Sequence, residues 1–128
     1  MAKIWNFTPH SVNIIKGSKF EPTIRKNVAN LSANVFMIIP SDGMLNARME
    51  SQEIEDFLGI PQFESVPAEV DPIPQEVGND DIVVVSRMYA SAYIALNGRD
   101  SRLRCIKDVV VDETDYSRII GCSGLERP

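Results

Sequence analysis

Ile82-Val83-Val84-Val85-Ser86-Arg87-Met88-Tyr89-Ala90-Ser91-Ala92-Tyr93-Ile94-Ala95-Leu96-Asn97-Gly98 is the stretch whose reading decides the fold. Its first four residues are β-branched with no polar alternation, as in a strand buried on both faces. Ser86 is a good helix N-cap. Tyr89, Ala92, Tyr93 and Leu96 then lie on one helical stripe, and Asn97-Gly98 closes the helix. Leu103 to Val111 returns to strand character. Strand, short helix, strand over residues 82–111 is the signature of a crossover between parallel strands.

Downstream, Asp112 to Ser117 reads as a polar loop. Arg118 to Cys122 reads as a last strand, hairpin partner of Val109 to Val111. Upstream, Ile4 to Phe7 and Val12 to Ile15 look like short strands separated by the turn Thr8-Pro9-His10, and Lys16 to Lys19 is a second turn. Thr23 to Val28 is a candidate strand, and Asn34 to Ile39 is an apolar run closed by Pro40. Ser51 can cap a helix that carries Ile54, Phe57 and Leu58 and stops at Gly59 and Pro61. Phe63 to Val66 is a short strand, and residues 67–81, with Pro67, Pro72 and Pro74, read as an irregular surface excursion. The expectation is one α/β domain over residues 1–128: a mixed, largely antiparallel sheet with two short helices.

The 128 residues suit one core, and 44% apolar with 24% charged residues is globular composition. No run is long enough to span a membrane, and the Met-Ala-Lys-Ile-Trp-Asn start lacks a secretory apolar core. The cytoplasm is therefore the expected location. Cys105 and Cys122 lie in apolar stretches and read as buried free thiols. A net charge of −5 argues against broad binding of DNA or RNA. The charge is uneven. Residues 50–81 are rich in acids and hold no Lys or Arg, whereas residues 87–107 hold five Lys or Arg and one acid. The basic stretch is the first candidate for an anion site.

Catalytic patterns are weak. The single histidine, His10, sits in a turn, where a local hydrogen-bonding role is the simpler reading. There is no nucleophile elbow, P-loop, dinucleotide fingerprint or zinc-ligand spacing. No catalytic residue, metal or cofactor is expected.

Binding patterns are better. Val85-Ser86-Arg87 sets a strand end against a helix start, where free amides and the helix dipole favour a phosphate. Ser86 supplies a hydroxyl and Arg87 a planar fork; the alternative is a cap beside a solvated arginine. Arg102 and Arg104 alternate with Leu103 and Cys105, so on a strand they share a face. An anion between them, or pairing with the acidic segment, would relieve their repulsion. Arg118 opens the last strand and can join them. Tyr89 and Tyr93 suit the core, though either could stack on a base. Gly43 in the Ser41 to Arg48 turn permits close backbone approach, and Arg48 is a further candidate anion contact.

Several landmarks follow in order along the chain: Ile-Trp-Asn-Phe-Thr-Pro-His at the start, Ile-Pro-Ser-Asp-Gly at 39–43 and Ala47-Arg48. Val-Val-Val-Ser at 83–86, Arg99-Asp100, Lys-Asp-Val at 107–109 and Ile-Gly-Cys at 120–122 continue them. Together they resemble the first type of Thoeris anti-defence protein, a phage-encoded sponge. The resemblance implies binding without catalysis: sequestration of cyclic ADP-ribose isomers made by bacterial TIR-domain enzymes, in the host cytoplasm. It also implies cyclic oligonucleotides at a separate site, and a homo-oligomer, a dimer or a dimer-based hexamer. For the family's aromatic, asparagine and arginine ligands the nearest candidates are Tyr89, Asn97, Arg102 and Arg118. The chain departs from the pattern at Leu96-Asn97-Gly98 and over Asp112 to Ser117. Two other classes stay open: a small hydrolase of phosphorylated nucleotides, and a phage structural or interaction protein with no small ligand.

Overall fold

The computed structural model describes residues 2–128. Its elements are β1 (Ile4–Asn6), β2 (Val12–Ile15), β3 (Lys19–Glu21), β4 (Lys26–Ala29), α1 (Leu31–Asn34) and β5 (Val35–Ile39). They continue with β6 (Ala47–Phe57), β7 (Ile60–Val70), β8 (Ile82–Val84), α2 (Arg87–Asn97), β9 (Leu103–Asp112) and β10 (Asp115–Glu126). This is the expected mixed α/β class. The main sheet runs β1-β8-β9-β10-β2-β5, and the β3–β4 hairpin joins it through β4 against β9.

The expected crossover is present. β8 and β9 pair in parallel, Val83 opposite Leu103 and Val84 opposite Arg104, with α2 between them in sequence. Ser86 caps α2, its hydroxyl accepting from the Tyr89 amide at 3.1 Å. Gly98, at φ 85°, ends it with its amide donating to the Ile94 carbonyl. The left-handed backbone there is open to glycine without steric cost. Val83, Val84, Val85, Tyr89, Ala90, Leu103 and Cys105 are all buried. Only Leu96 leaves the predicted stripe: it lies on the last turn, 45% exposed.

β9 is shared by three neighbours. Its first half pairs β8, its second half pairs β4, and β10 runs antiparallel along its other edge. The β9–β10 hairpin is the one expected, with Ile119 opposite Val111 and Cys122 opposite Val109. The polar loop is shorter than expected, because Asp115 already pairs Asp112. Turn chemistry explains this: the Asp112 carboxylate accepts from the Thr114 amide and hydroxyl, at 2.8 and 2.7 Å.

Several expectations fail between residues 16 and 81. Residues 51–58 are not a helix. They belong to β6, which pairs β7 in a long two-stranded hairpin turning at Leu58 and Gly59. Both turn residues have positive φ, 52° and 80°, as a tight hairpin turn demands. A helix this short gains its stability by burying a face, and every residue from Glu50 to Pro61 is exposed. Nothing was there to reward the helical stripe. The irregular excursion accordingly shrinks to 71–81. The second short helix is instead α1, whose first turn is capped by Asn30. The turn read at Lys16 to Lys19 runs directly into β3 at Lys19, and Thr23 to Arg25 forms the hairpin bend before β4.

Both cysteines are buried free thiols, and burial pushes each thiol up from its ordinary pKa. Among the described residues, no helix is long and apolar enough to cross a membrane.

Candidate functional site

The first and last strands of the sheet path meet at Asn6, among the described residues the one fully buried polar side chain. Its Nδ2 donates to the carbonyls of His10 at 2.9 Å and Ile39 at 3.0 Å. Its Oδ1 accepts from the Thr8 amide at 3.0 Å and the Thr8 hydroxyl at 2.6 Å. The amide therefore uses both donors and both lone pairs, which is the condition for burying it cheaply. Asp42 completes the clasp: its carboxylate accepts from the Asn6 amide at 2.9 Å, and its own amide donates to the Asn6 carbonyl at 2.7 Å. Ser41 donates to the Thr8 carbonyl at 2.6 Å. The two landmark stretches Asn-Phe-Thr-Pro-His and Pro-Ser-Asp-Gly thus fix each other, and they hold the Thr8-Pro9-His10 turn in place.

That turn forms one wall of the larger cleft, about 710 Å³. The facing wall is the strand-to-helix junction Val85-Ser86-Arg87. Ile106, Asp108, Val109 and the Ile119 to Cys122 segment close the remaining sides. The walls are mainly apolar, and the polar groups are few: Thr8, His10, Ser11, Asn13, Ser86, Arg87 and Asp108. A cavity of this size with a small set of polar groups on apolar walls is the common form of a small-molecule site.

Chemically, one end of the cleft offers hydrogen-bond donors that suit an anion. Ser86 satisfies the Tyr89 amide, and the amides of Arg87 and Met88 have no partner within the helix. Arg87 is anchored by its Nη2, which donates to the Ile106 carbonyl at 2.9 Å and to the Glu126 carboxylate. The contact with Glu126 raises the pKa of Arg87 further. Nε and Nη1 remain to meet a ligand. Asp108 sits in left-handed backbone, φ 52°, within β9, and among the described residues its carboxylate accepts only from the Ser123 hydroxyl, at 3.4 Å. A carboxylate there suits ligand hydroxyl or amino groups, while the helix end suits phosphate.

The residues singled out in the sequence separate into groups. Ser86 and Arg87 reach this cleft together. Arg118 precedes the cleft-lining Ile119 and is 65% exposed at its side chain, with Asp112 at 3.9 Å. Arg104 lies instead in a smaller recess of about 290 Å³ with Arg99 and Arg127, its Nη1 donating to the carbonyls of Ser101 and Leu103. Arg102 is bound by Asp100 through Nε at 3.0 Å and Nη2 at 2.8 Å. That guanidinium holds the Asp100 carboxyl below its usual pKa. Tyr89 is buried in the core with its hydroxyl donating to the Asp71 carbonyl at 2.6 Å, and burial pushes its pKa up to about 12. Asn97 is exposed at the last turn of α2. Arg48 stands at the base of the β6–β7 hairpin, 3.2 Å from both Glu50 and Glu69.

Sequence reasoning missed the opposite wall: Thr8, Ser11, Asn13 and Asp108. His10 was read as a local hydrogen-bonding residue, and its carbonyl does accept from Asn6 and Thr8. Its ring, exposed, lines the cleft instead. Only pairing of β10 with β2 and β9 brings these segments together. No family model matches the chain, and neither a curated protein nor a solved structure does.

Proposed function

We propose that this chain binds an anionic nucleotide-like signal in the cleft at the α2 N-terminus and holds it without turnover. The observation that carries the proposal is the pairing of an open helix start and Arg87 with a largely apolar, 710 Å³ cleft. Phosphate is satisfied at one end, and a base and ribose rest on Val85, Ile106, Val109 and Ile119, with Asp108 accepting from hydroxyls. The resemblance adds the ligand class: cyclic ADP-ribose isomers, sequestered by a phage anti-defence sponge in the host cytoplasm, with cyclic oligonucleotides as a second class. It also adds the homo-oligomer, a dimer or a dimer-based hexamer.

A hydrolase is the second reading. It draws on His10, Ser11, Ser86 and Asp108 lining one cleft. Among the described residues, however, no hydrogen bond joins the His10 ring to a serine or an acid, as an activated nucleophile requires.

The test is thermal shift against cyclic ADP-ribose isomers and cyclic oligonucleotides, followed by heat release and chromatography. A sponge returns the ligand intact from the wild type and from His10→Ala alike. A hydrolase returns product and loses it in that variant. Absence of any shift across the panel removes the proposal. Arg87→Ala should weaken binding by roughly 10- to 150-fold, because a charge-assisted contact contributes about 1.5–3 kcal/mol.

A further inference from the structure

The β6–β7 hairpin is an arm. Ala47 and Val70 at its base pack against the core beneath α2, Met49, Val66, Pro67 and Ala68 are half-buried near α2, and every residue of the outer part from Glu50 to Pro61 is exposed. Near its tip Ile54, Phe57 and Ile60 share one face, with Leu58 at the turn beside them, and Phe63 lies on the opposite face; all five are exposed, Leu58 to 87%. A two-stranded ribbon on its own is marginal in water, and the four apolar side chains of the first group find no partner among the described residues. At roughly 150–200 Å² each, they present on the order of 500 Å². That is as large as the largest apolar patch of a typical monomer.

Charge identifies the occupant. Residues 47–70 hold six carboxylates and one cation, Arg48, and that cation is engaged by Glu50 and Glu69. Two such arms laid side by side would repel. The complementary surface lies on the same molecule. Residues 3–26 hold five Lys or Arg and a single acid. Next to them, β5 is the last strand of the sheet path: one edge pairs β2, and its other edge meets β1 at Ile39 through Asn6 and has no ladder partner in the sheet path from Val35 to Ile38. It exposes Phe36, Met37 and Ile38, with the Lys16 ammonium 3.6 Å above the Phe36 ring. An unpaired edge beside apolar side chains is a template for another chain.

We propose that the arm of one copy docks its apolar tip and carboxylates on the β5 edge and the lysine-bearing turns of a second copy. Reciprocal docking places two arms in a symmetric dimer. It doubles the apolar area to about 1,000 Å², the range a specific interface needs. This deepens the oligomer named in the preceding proposal and does not depend on which ligand the cleft takes.

The test is trans-complementation read by light scattering. The arm variant is Phe57→Asp with Leu58→Asp; aspartate tolerates the positive φ at 58. The body variant is Lys16→Glu with Phe36→Asp. Circular dichroism confirms that both are folded, as expected for exposed positions. The wild type should have at least twice the monomer mass of 14.3 kDa. Each variant alone should dissociate, its dimer constant raised on the order of 30-fold or more. An equimolar mixture should associate more tightly than either variant alone and less tightly than the wild type, because one of the two reciprocal contacts, the arm of one copy on the body of the other, is intact. A monomeric wild type at high micromolar concentration overturns the proposal. So does an arm variant that stays oligomeric, or a body variant that stays oligomeric while the arm variant does not. The thermal-shift panel repeated on the arm variant reads the cleft separately.

Discussion

Replacing Asn6 by alanine should destabilise the protein more than any other single polar truncation. The side chain makes four hydrogen bonds, two donated to the carbonyls of His10 and Ile39 and two accepted from Thr8. At a net value of about 1 kcal/mol each, their loss comes to about 4 kcal/mol. Water can reach the His10 end, which is exposed, so about 3 kcal/mol is the expected cost. At about 3–4 °C per kcal/mol for a domain of this size, the melting temperature should fall by about 10 °C. Thr8→Val removes the one hydroxyl proton that Asn6 Oδ1 and the His10 carbonyl share and should cost about 1 kcal/mol. Asn6→Asp should be worse than alanine at neutral pH. It sets a carboxylate oxygen against two carbonyl oxygens beside the Asp42 carboxylate, and stability should recover partly as pH is lowered. Urea unfolding, read as midpoint and slope, is the assay. An Asn6→Ala midpoint within about 0.5 kcal/mol of wild type at unchanged slope would refute the clasp.

Three further outcomes follow from the packing. Gly121→Ala should lose about 2–3 kcal/mol or fail to accumulate, because its Cβ would lie 2.4 Å from the Asn13 carbonyl oxygen; Gly124→Ala, with open space at the same strand, should be near neutral, and equal midpoints for the two would contradict the tight β2–β10 approach. Asp100, its pKa depressed by Arg102, contributes stability that is present above its unfolded value of about 3.9 and is lost as pH falls through the folded one; Asp100→Asn should therefore flatten the acid limb of a stability–pH curve, and an unchanged limb would count against the pair. Cys105 and Cys122, with pKa values raised by burial, should resist a disulfide-exchange reagent in the native protein and both react in urea; rapid native labelling would show that the core opens readily.

Local chemistry in the sequence determined the crossover unit. A β-branched run, a serine cap, a glycine stop and a second apolar run each favour the same structure, and Tyr89, Ala92 and Cys105 are buried as that pattern requires. It also determined the β9–β10 hairpin and, at the site, the open helix start at Ser86 and Arg87. Residues 51–58 show the opposite case. Their apolar spacing fits a helix and a strand alike, and the choice fell to an exposed ribbon because no neighbouring surface rewards a helical face. The arginines show the same limit: Arg102 and Arg104 carry equal charge two residues apart, yet only the fold hands one to Asp100 and leaves the other in a separate recess. The second wall of the cleft and the Asn6 clasp were tertiary decisions altogether. They join residues 4 to 33 positions apart through buried hydrogen bonds and strands 107 apart through the β2–β10 approach. Periodicity records which face of an element is apolar; it carries no information about which distant element will cover that face.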